Sequence, residues 1–256
     1  MTQALIGHTG FVGGTLAAAE PYDAVYNSKT IESIRGRSFD RLVCAGVNAV
    51  KWQANADPAG DLAGIERLKR ALDEVEARSL VLISTVDVYP SPYGVDEATP
   101  VDRNAGQAYG RHRLELEDWT RSRFANVLIV RLPALFGPGL RKNILFDMLN
   151  GHQVDRINGA SSFQWYDLAW LPDHLAVAEK AKLGLVNLSV EPLSTSQIHT
   201  HLFPDLKVTC DPETAAHYDM RTVHVGSFGR TGSYLKTAEE SLSAMKRFVA
   251  TVARRA

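Results

Sequence analysis

The chain has 256 residues, room for one large core with a smaller one beside it, since single cores stop growing near about 250–300 residues. Its 28 basic and 29 acidic side chains leave a net charge of −1, so no global field draws it to nucleic acid or an anionic membrane surface, and a small-molecule partner is expected. Two cysteines, Cys44 and Cys210, read as ordinary thiols of a reducing compartment, and with no basic leader and no run of about 18 apolar residues a cytoplasmic location is expected.

Ala4-Leu5-Ile6, a glycine-rich turn and Phe11 to Ala19 read as strand, loop and helix, the opening of a βαβ unit. Ala24-Val25-Tyr26 is a second strand. Between Asn27 and the apolar run Leu42-Val43-Cys44-Ala45 there is room only for a short crossover around Ile31 and Ile34, so the second unit is abbreviated. From Asp57 to Arg78 the residues Leu62, Ile65, Leu68, Leu72 and Val75 recur every three or four positions with charges between them, which predicts a helix with one face on a sheet. Strand Leu80 to Ile83, a helix over Gln107 to Arg123 and the doubly apolar run Val127 to Val130 continue the alternation.

Beyond Pro133 the pattern loosens. A helix at Ile144 to Leu149, a strand near Phe163 to Tyr166, a helix at Asp173 to Lys182, a strand at Leu185 to Leu188 and a helix from Thr237 to Val252 are expected. The predicted class is α/β, a doubly wound parallel Rossmann sheet with a small C-terminal substrate-binding cap. Residues 1–138, with 166–190 returning, form the dinucleotide-binding part, and 139–165 with 191–256 form the cap.

Gly7-His8-Thr9-Gly10-Phe11-Val12-Gly13 follows a strand and opens a helix. Glycines there permit a tight turn and let backbone amides and the helix N-terminus approach a pyrophosphate. The same spacing also serves a close helix-strand crossing that binds nothing. After the second strand an NAD site usually offers a carboxylate to the ribose hydroxyls. This chain has Asn27-Ser28-Lys29, which suits a 2′-phosphate better, so the cofactor is NADP or NAD with NADP slightly preferred.

The glycine loop, "LISTVDVYP", "AYGRHRLELE" and "RLPALFGPG" occur in the order and approximate spacing of the motifs of extended short-chain dehydrogenases/reductases. "FQWYDLAWLPDHLAVA" and "LVNLSVEPLSTSQI" extend the likeness to about residues 3 to 200. The chain resembles the NAD(P)-dependent nucleotide-sugar epimerase/dehydratase/reductase branch.

That resemblance implies Tyr109 as acid/base, Thr85 as the partner of the substrate oxygen, Ser84 as its neighbour, and position 113 as the support of the tyrosine. The family's lysine is Arg113 here. Bringing a phenol from about 10 to about 7 takes roughly 4 kcal/mol, which one charge at about 4 Å supplies at an effective dielectric near 20, although a forked guanidinium has a different shape from an ammonium. The bland alternatives are a packed tyrosine and an Arg113–Glu117 ion pair at i+4.

The resemblance also lays Cys44-Ala45-Gly46, Leu132 and Pro133 along the cofactor. It offers Asp87, Arg141 and Asn143 to the substrate, with Arg131 a further candidate. Dehydratases of the branch place an acidic pair after the threonine; here it is Val86-Asp87, and a loop or cap role for Asp87 is the alternative. Gln164 stands where many relatives carry arginine. His199-x-His201 lacks companion ligands, so no metal is expected.

The implied function is an NAD(P)-dependent oxidoreductase or epimerase acting on a hydroxyl/keto carbon of a sugar or nucleotide-sugar. A non-catalytic NAD(P)-binding sensor or scaffold, and a nucleotide-sugar dehydratase, are the alternatives. The helices at Asp57 to Arg78 and Gln107 to Arg123 could pair in a homodimer.

Overall fold

A computed structural model describes residues 1–253, which fall into two compact units. The first comprises Met1–Ser91, Glu97–Leu132 and Pro172–Asn187, the second Pro92–Asp96, Pro133–Leu171 and Leu188–Ala256. The second unit thus takes in Pro92–Asp96, resumes at Pro133, a few residues earlier than position 139, and includes 166–171 and 188–190, which were expected in the first.

The first unit is built on β1 (Gln3–Ile6), β2 (Ala24–Tyr26), β3 (Ser38–Cys44), β4 (Glu76–Thr85), β5 (Val127–Leu132) and β6 (Leu185–Asn187). They form one six-stranded sheet, all parallel, in the order β2-β1-β3-β4-β5-β6. Between β2 and β3 lies one turn of 3-10 helix, Ile31–Ile34, anchored by buried Ile31 and Ile34. Ten or so residues cannot build the helical crossover that would return the chain beside β2, and β3 pairs with the other side of β1 instead. The direction of winding reverses there, so the crevice beyond the carboxyl ends of β1 and β3 is the switch point where open α/β sheets bind ligands.

Four helices position the site: α1 (Phe11–Ala19), α2 (Lys51–Ala56), α3 (Pro58–Leu72) and α4 (Ala108–Arg123). Proline at the first position of α3 and the Asp57 side chain, which accepts from Gly60 N at 3.0 Å, fix its start. The helix predicted over Asp57 to Arg78 ends early, at Leu72. Glu76 N donates to Arg37 O, and from there the chain pairs with β3. Val75, which extended the helical period, is fully buried in the connecting turn, where an apolar residue serves as well as on a helix. The predicted strand Leu80 to Ile83 is the inner part of a ten-residue one. α2 has no counterpart among the sequence expectations.

One face of the sheet, with Ala4, Ile6, Leu42, Leu80, Leu82 and Ile129, packs against Ile65, Leu68 and Leu72 of α3 and Leu116 of α4. Leu5, Val43, Val81, Leu128 and Val130, at alternate positions, are buried as well, which explains the unbroken apolar runs in these strands.

The second unit has its own core of Phe136, Leu145, Met148, Ile157, Trp165, Leu193, Ile198 and Met245. Three short strand pairs frame it: Ala134–Phe136 with Trp165–Asp167, Leu193–Ser194 with Ser162–Phe163, and Tyr93–Val95 with Asp219–Met220. The single strand predicted near Phe163 to Tyr166 is broken at Gln164. That buried side chain donates to the carbonyls of Val190 and Met220 and accepts from Met220 N, so it ties three segments together. Among the described residues, no helix is long and apolar enough to cross a membrane.

Candidate active site

Gly7 follows β1 with φ +90°, and a Cβ on it would overlap the Ala45 carbonyl. Gly13 is equally constrained, because its Cβ would overlap the Gly7 carbonyl. The loop is closed by Gly10 N donating to Gly7 O at 2.9 Å, while Gly7 N and the His8 ring both reach the Tyr26 carbonyl. Gly10 is the N-cap of α1 and has no side chain to close it, and exposed Thr9 and half-buried Phe11 and Val12 surround that end. Open amides at a helix start beside a backbone too crowded for any Cβ are what an anionic diphosphate needs.

Beside the loop is a cavity of about 330 Å³, within the range of cofactor pockets, lined among others by Asn27, Ser28, Gly46, Val47, Asp61 and Leu68. Asn27 Oδ1 accepts from Lys29 N at 2.9 Å, an Asx turn that leaves exposed Lys29 just past the cavity edge. Cys44 closes β3, where burial pushes its thiol up to about 11 despite a bond from Gly46 N–H, so it packs rather than reacts. Ala45 N continues the ladder to Ile6 O. The residues present fit a nicotinamide dinucleotide: Gly7 to Gly13 would hold the diphosphate, and Asn27, Ser28, Gly46 and Val47 the adenosine end.

Tyr109 sits in the first turn of α4. Its N–H donates to Asn55 Oδ1 of α2 at 3.0 Å, and Asn55 Nδ2 donates to Gln107, so α2 caps α4 from outside. A Cβ on Gly110 would overlap the Asp87 carbonyl, which lays the helix start directly on the turn after β4. In that turn Thr85 Oγ1 accepts from Asp87 N at 3.2 Å, and Lys51 Nζ of α2 lies 2.7 Å from Asp87 Oδ1. Tyr109 is buried. Burial holds its phenol above the ordinary value; Arg113 pulls it down, Asp87 pushes it up, and the neighbouring Thr85 side chain and Lys51 lower it. Val86, at the other position of the expected acidic pair, is buried.

Arg113 does not pair with Glu117. Its Nη1 donates to Asp61 Oδ2 and the Tyr109 carbonyl, its Nη2 to Asp61 Oδ1 and the Asn48 carbonyl, and its Cζ lies 3.9 Å from the Tyr109 ring centroid. Glu117 belongs to Arg131, which donates Nε and Nη2 to its two oxygens at 3.0 and 2.6 Å. Arg131 Nη1 reaches Tyr89 Oη, and Asn187 Nδ2 meets the same oxygen. Ser84 Oγ donates to Glu117 Oε1 at 2.5 Å.

Two expected roles thereby change. The donors of Arg131 and the hydroxyl of Ser84 serve a buried charge network with Glu117, while Thr85, the next residue on the strand, bonds to Asp87 N in the turn. Successive strand residues point to opposite faces, which separates the two hydroxyls.

Leu132 is buried at the end of β5, and Pro133 belongs to the second unit. In that unit Asn143 (φ 109°) caps the helix Ile144–Asn150, accepting from Phe146 N and donating to Leu135 O. Both ends of its amide are therefore engaged. Arg141 is exposed. His199 and His201 bond to the carbonyls of Leu206 and Gln197.

No protein-family model matches the chain, and no curated protein does. Solved structures do. MoeE5 in complex with UDP-glucuronic acid and NAD superposes with a TM-score of 0.78 at 14% identity, over 100% of both chains. UDP-N-acetylglucosamine 4-epimerase from Methanobrevibacter ruminantium, in complex with UDP-N-acetylmuramic acid, gives 0.75 at 11%, over 100% of this chain and 99% of that one. A dTDP-4-dehydrorhamnose reductase from Clostridium acetobutylicum gives 0.73 at 16%, over 98% and 99%. This is the fold of the nucleotide-sugar epimerases and reductases. It is also the fold that the resemblance to extended short-chain dehydrogenases/reductases implies, and it extends to the tail beyond residue 200, where the motif likeness stopped.

Lys51, Asn55 and Asp61 were missed by sequence reasoning. The first two lie on a helix of six residues with no apolar period, and their only signal is the i, i+4 spacing that puts both on one helix face. Asp61 reads as one more charge on the outer face of a long amphipathic helix.

Proposed function

We propose that the protein is an NAD(P)-dependent oxidoreductase or epimerase acting on a hydroxyl/keto carbon of a sugar or nucleotide-sugar. The observation that carries this is the placement of Tyr109, buried in the first turn of α4, which lies directly on the turn after β4 that begins with Thr85, in a unit that holds a glycine cradle crowded against any side chain. The nucleotide-sugar class is drawn from the solved structures of similar fold, whose bound sugars are UDP-glucuronic acid and UDP-N-acetylmuramic acid.

When bound, the nicotinamide supplies or withdraws the reducing equivalents at the sugar carbon. The proton is the task of this chain. The Tyr109 phenolate takes it from a hydroxyl and, as the phenol, returns it to a carbonyl oxygen, and Thr85 Oγ1 is the second contact for that oxygen. Arg113 stacks on the ring and favours the phenolate without reaching the oxygen being protonated. With no carboxylate at 27–29, Ser28 and Lys29 favour the phosphorylated cofactor.

Titrating NADH and NADPH against the wild type and Lys29→Ala by fluorescence tests this. Saturable binding of both, tighter for NADPH and levelled by the substitution, is expected, followed by loss of keto-sugar or nucleotide-sugar turnover in Tyr109→Phe. If neither cofactor binds, the proposal falls. If cofactor binds and Tyr109→Phe leaves biological activity unchanged, a binding protein replaces the enzyme.

A further inference from the structure

The second unit has a cavity of its own, about 430 Å³ in volume, lined by Tyr93, Ser162, Pro192, His217, Tyr218, Asp219 and Tyr234. It shares no residue with the glycine cradle or with the Tyr109 group. Backbone pairing fixes its walls. Tyr93 stands opposite Asp219 in their parallel strand pair, and Asp219 N donates to Pro92 O at 2.7 Å. Ser162 N donates to Ala216 O at 2.9 Å, Tyr218 N donates to Ser162 O at 3.0 Å, and Ser162 Oγ lies 3.0 Å from His217 Nδ1. A site held in this way needs little ordering when a ligand enters.

Two kinds of surface meet there. Tyr93 is 65% exposed, an aromatic ring open to solvent, and Tyr218 is braced by Phe163, with ring centroids 5.4 Å apart. Asp219 is buried. Its Oδ2 accepts from Arg221 Nε at 3.1 Å and Nη2 at 2.7 Å, and its Oδ1 accepts from Tyr234 Oη at 2.5 Å. Burial and the adjoining carboxylate push the Tyr234 phenol up to about 12, so it stays the neutral donor in that bond.

Charge decides what the cavity can take. Among the described residues that line it Asp219 is the one carboxylate, Arg221 answers its charge, and the His217 imidazole is engaged by Ser162, so neither a phosphate nor an ammonium meets an unanswered charge. A wholly apolar ligand would cover the Asp219 and Ser162 oxygens without offering them a hydrogen bond. A pyranose ring meets both demands, since its C–H face packs on aromatic rings and its rim of hydroxyls both donates and accepts.

We propose that this cavity binds a neutral pyranose ring, stacked on Tyr93 and Tyr218 with its hydroxyls turned to Asp219 and Ser162. This does not rest on Tyr109 or on a bound dinucleotide.

Saturation-transfer difference NMR on the whole chain tests it, with the methyl β-glycosides of glucose, galactose and N-acetylglucosamine as probes and with UDP and UDP-glucose as competitors. At least one glycoside is expected to show signals from its ring C–H protons, reduced about fivefold in Tyr93→Ala and kept in Tyr93→Trp. Circular dichroism confirms that both variants are folded. Displacement by UDP-glucose but not by UDP means that the ring arrives on a nucleotide. Displacement by neither means that it arrives as a free sugar or a glycan end, and either result supports the proposal. Absence of any glycoside signal, signals unchanged in Tyr93→Ala, or displacement of the glycoside by UDP itself overturns it. A failed cofactor titration changes none of these outcomes, so the two readings are judged separately.

Discussion

Asp61 on α3 and Arg113 on α4 meet oxygen to nitrogen at both prongs, 2.5 and 2.8 Å apart, with neither side chain more than 6% exposed. The residue four positions after the tyrosine is thus a strut between two helices. Removing one partner of a buried pair leaves the other charge uncompensated, and Arg113→Met is expected to cost about 3–5 kcal/mol in urea denaturation. Arg113→Lys keeps the charge but cannot serve both carboxylate oxygens, and about 1–3 kcal/mol is expected.

The same pair gives the stability a sign in acid. Burial opposes ionisation of Asp61, but the hydrogen bonds from Arg113 and His112 outweigh it and hold the carboxyl below its ordinary value of 3.8. A carboxyl depressed in the folded state stabilises at pH above its ordinary value, and that contribution is lost as pH falls through the lower folded value. Thermal melts of the wild type should therefore lose stability as pH drops below about 4, and Asp61→Asn, less stable at neutral pH, should show a shallower decline.

Two glycines make opposite predictions. A Cβ at Gly110 overlaps the Asp87 backbone, which cannot yield as a flexible side chain would, so Gly110→Ala should destabilise by about 1–3 kcal/mol or more. Gly64, inside α3, has open space where an alanine methyl would sit, and Gly64→Ala should stabilise by about 0.5–1 kcal/mol. Paired chemical denaturation of the two variants checks both.

Under the sheet, Glu117 and Arg131 form an ion pair with side chains 0% and 4% exposed. Glu117→Leu or Arg131→Met alone should each cost about 3–5 kcal/mol, while the double variant should lose clearly less than their sum, because it leaves no charge stranded. A double-mutant cycle in urea reads the coupling directly. Additive losses would mean that the charges are satisfied independently.

Much of this was legible in the chain. The alternation of strands and helices and the glycine loop follow local rules of period and turn, and Tyr109 stands in one of the short motifs that carry the family resemblance. The partners of the site did not. Arg113 looks equally able to take Glu117, on its own helix, and Asp61, 52 positions away, and only packing decides. Asn55 caps a helix that begins over fifty residues later, beyond any capping signal read within one turn. Val75 misled for the opposite reason, since its apolar character is spent on a buried turn.

The composition of the two units bears on how the chain can be cut. A fragment ending at Leu132 lacks β6, which closes one edge of the sheet, and a fragment beginning at Pro133 lacks Tyr93–Val95, the partner of Asp219–Met220. Neither unit is a contiguous stretch that could be cloned alone with its strand pairings intact. Domain shuffling and simple truncation, the usual routes by which a binding module is moved from one protein to another, are closed to this fold, and it must be inherited and engineered whole.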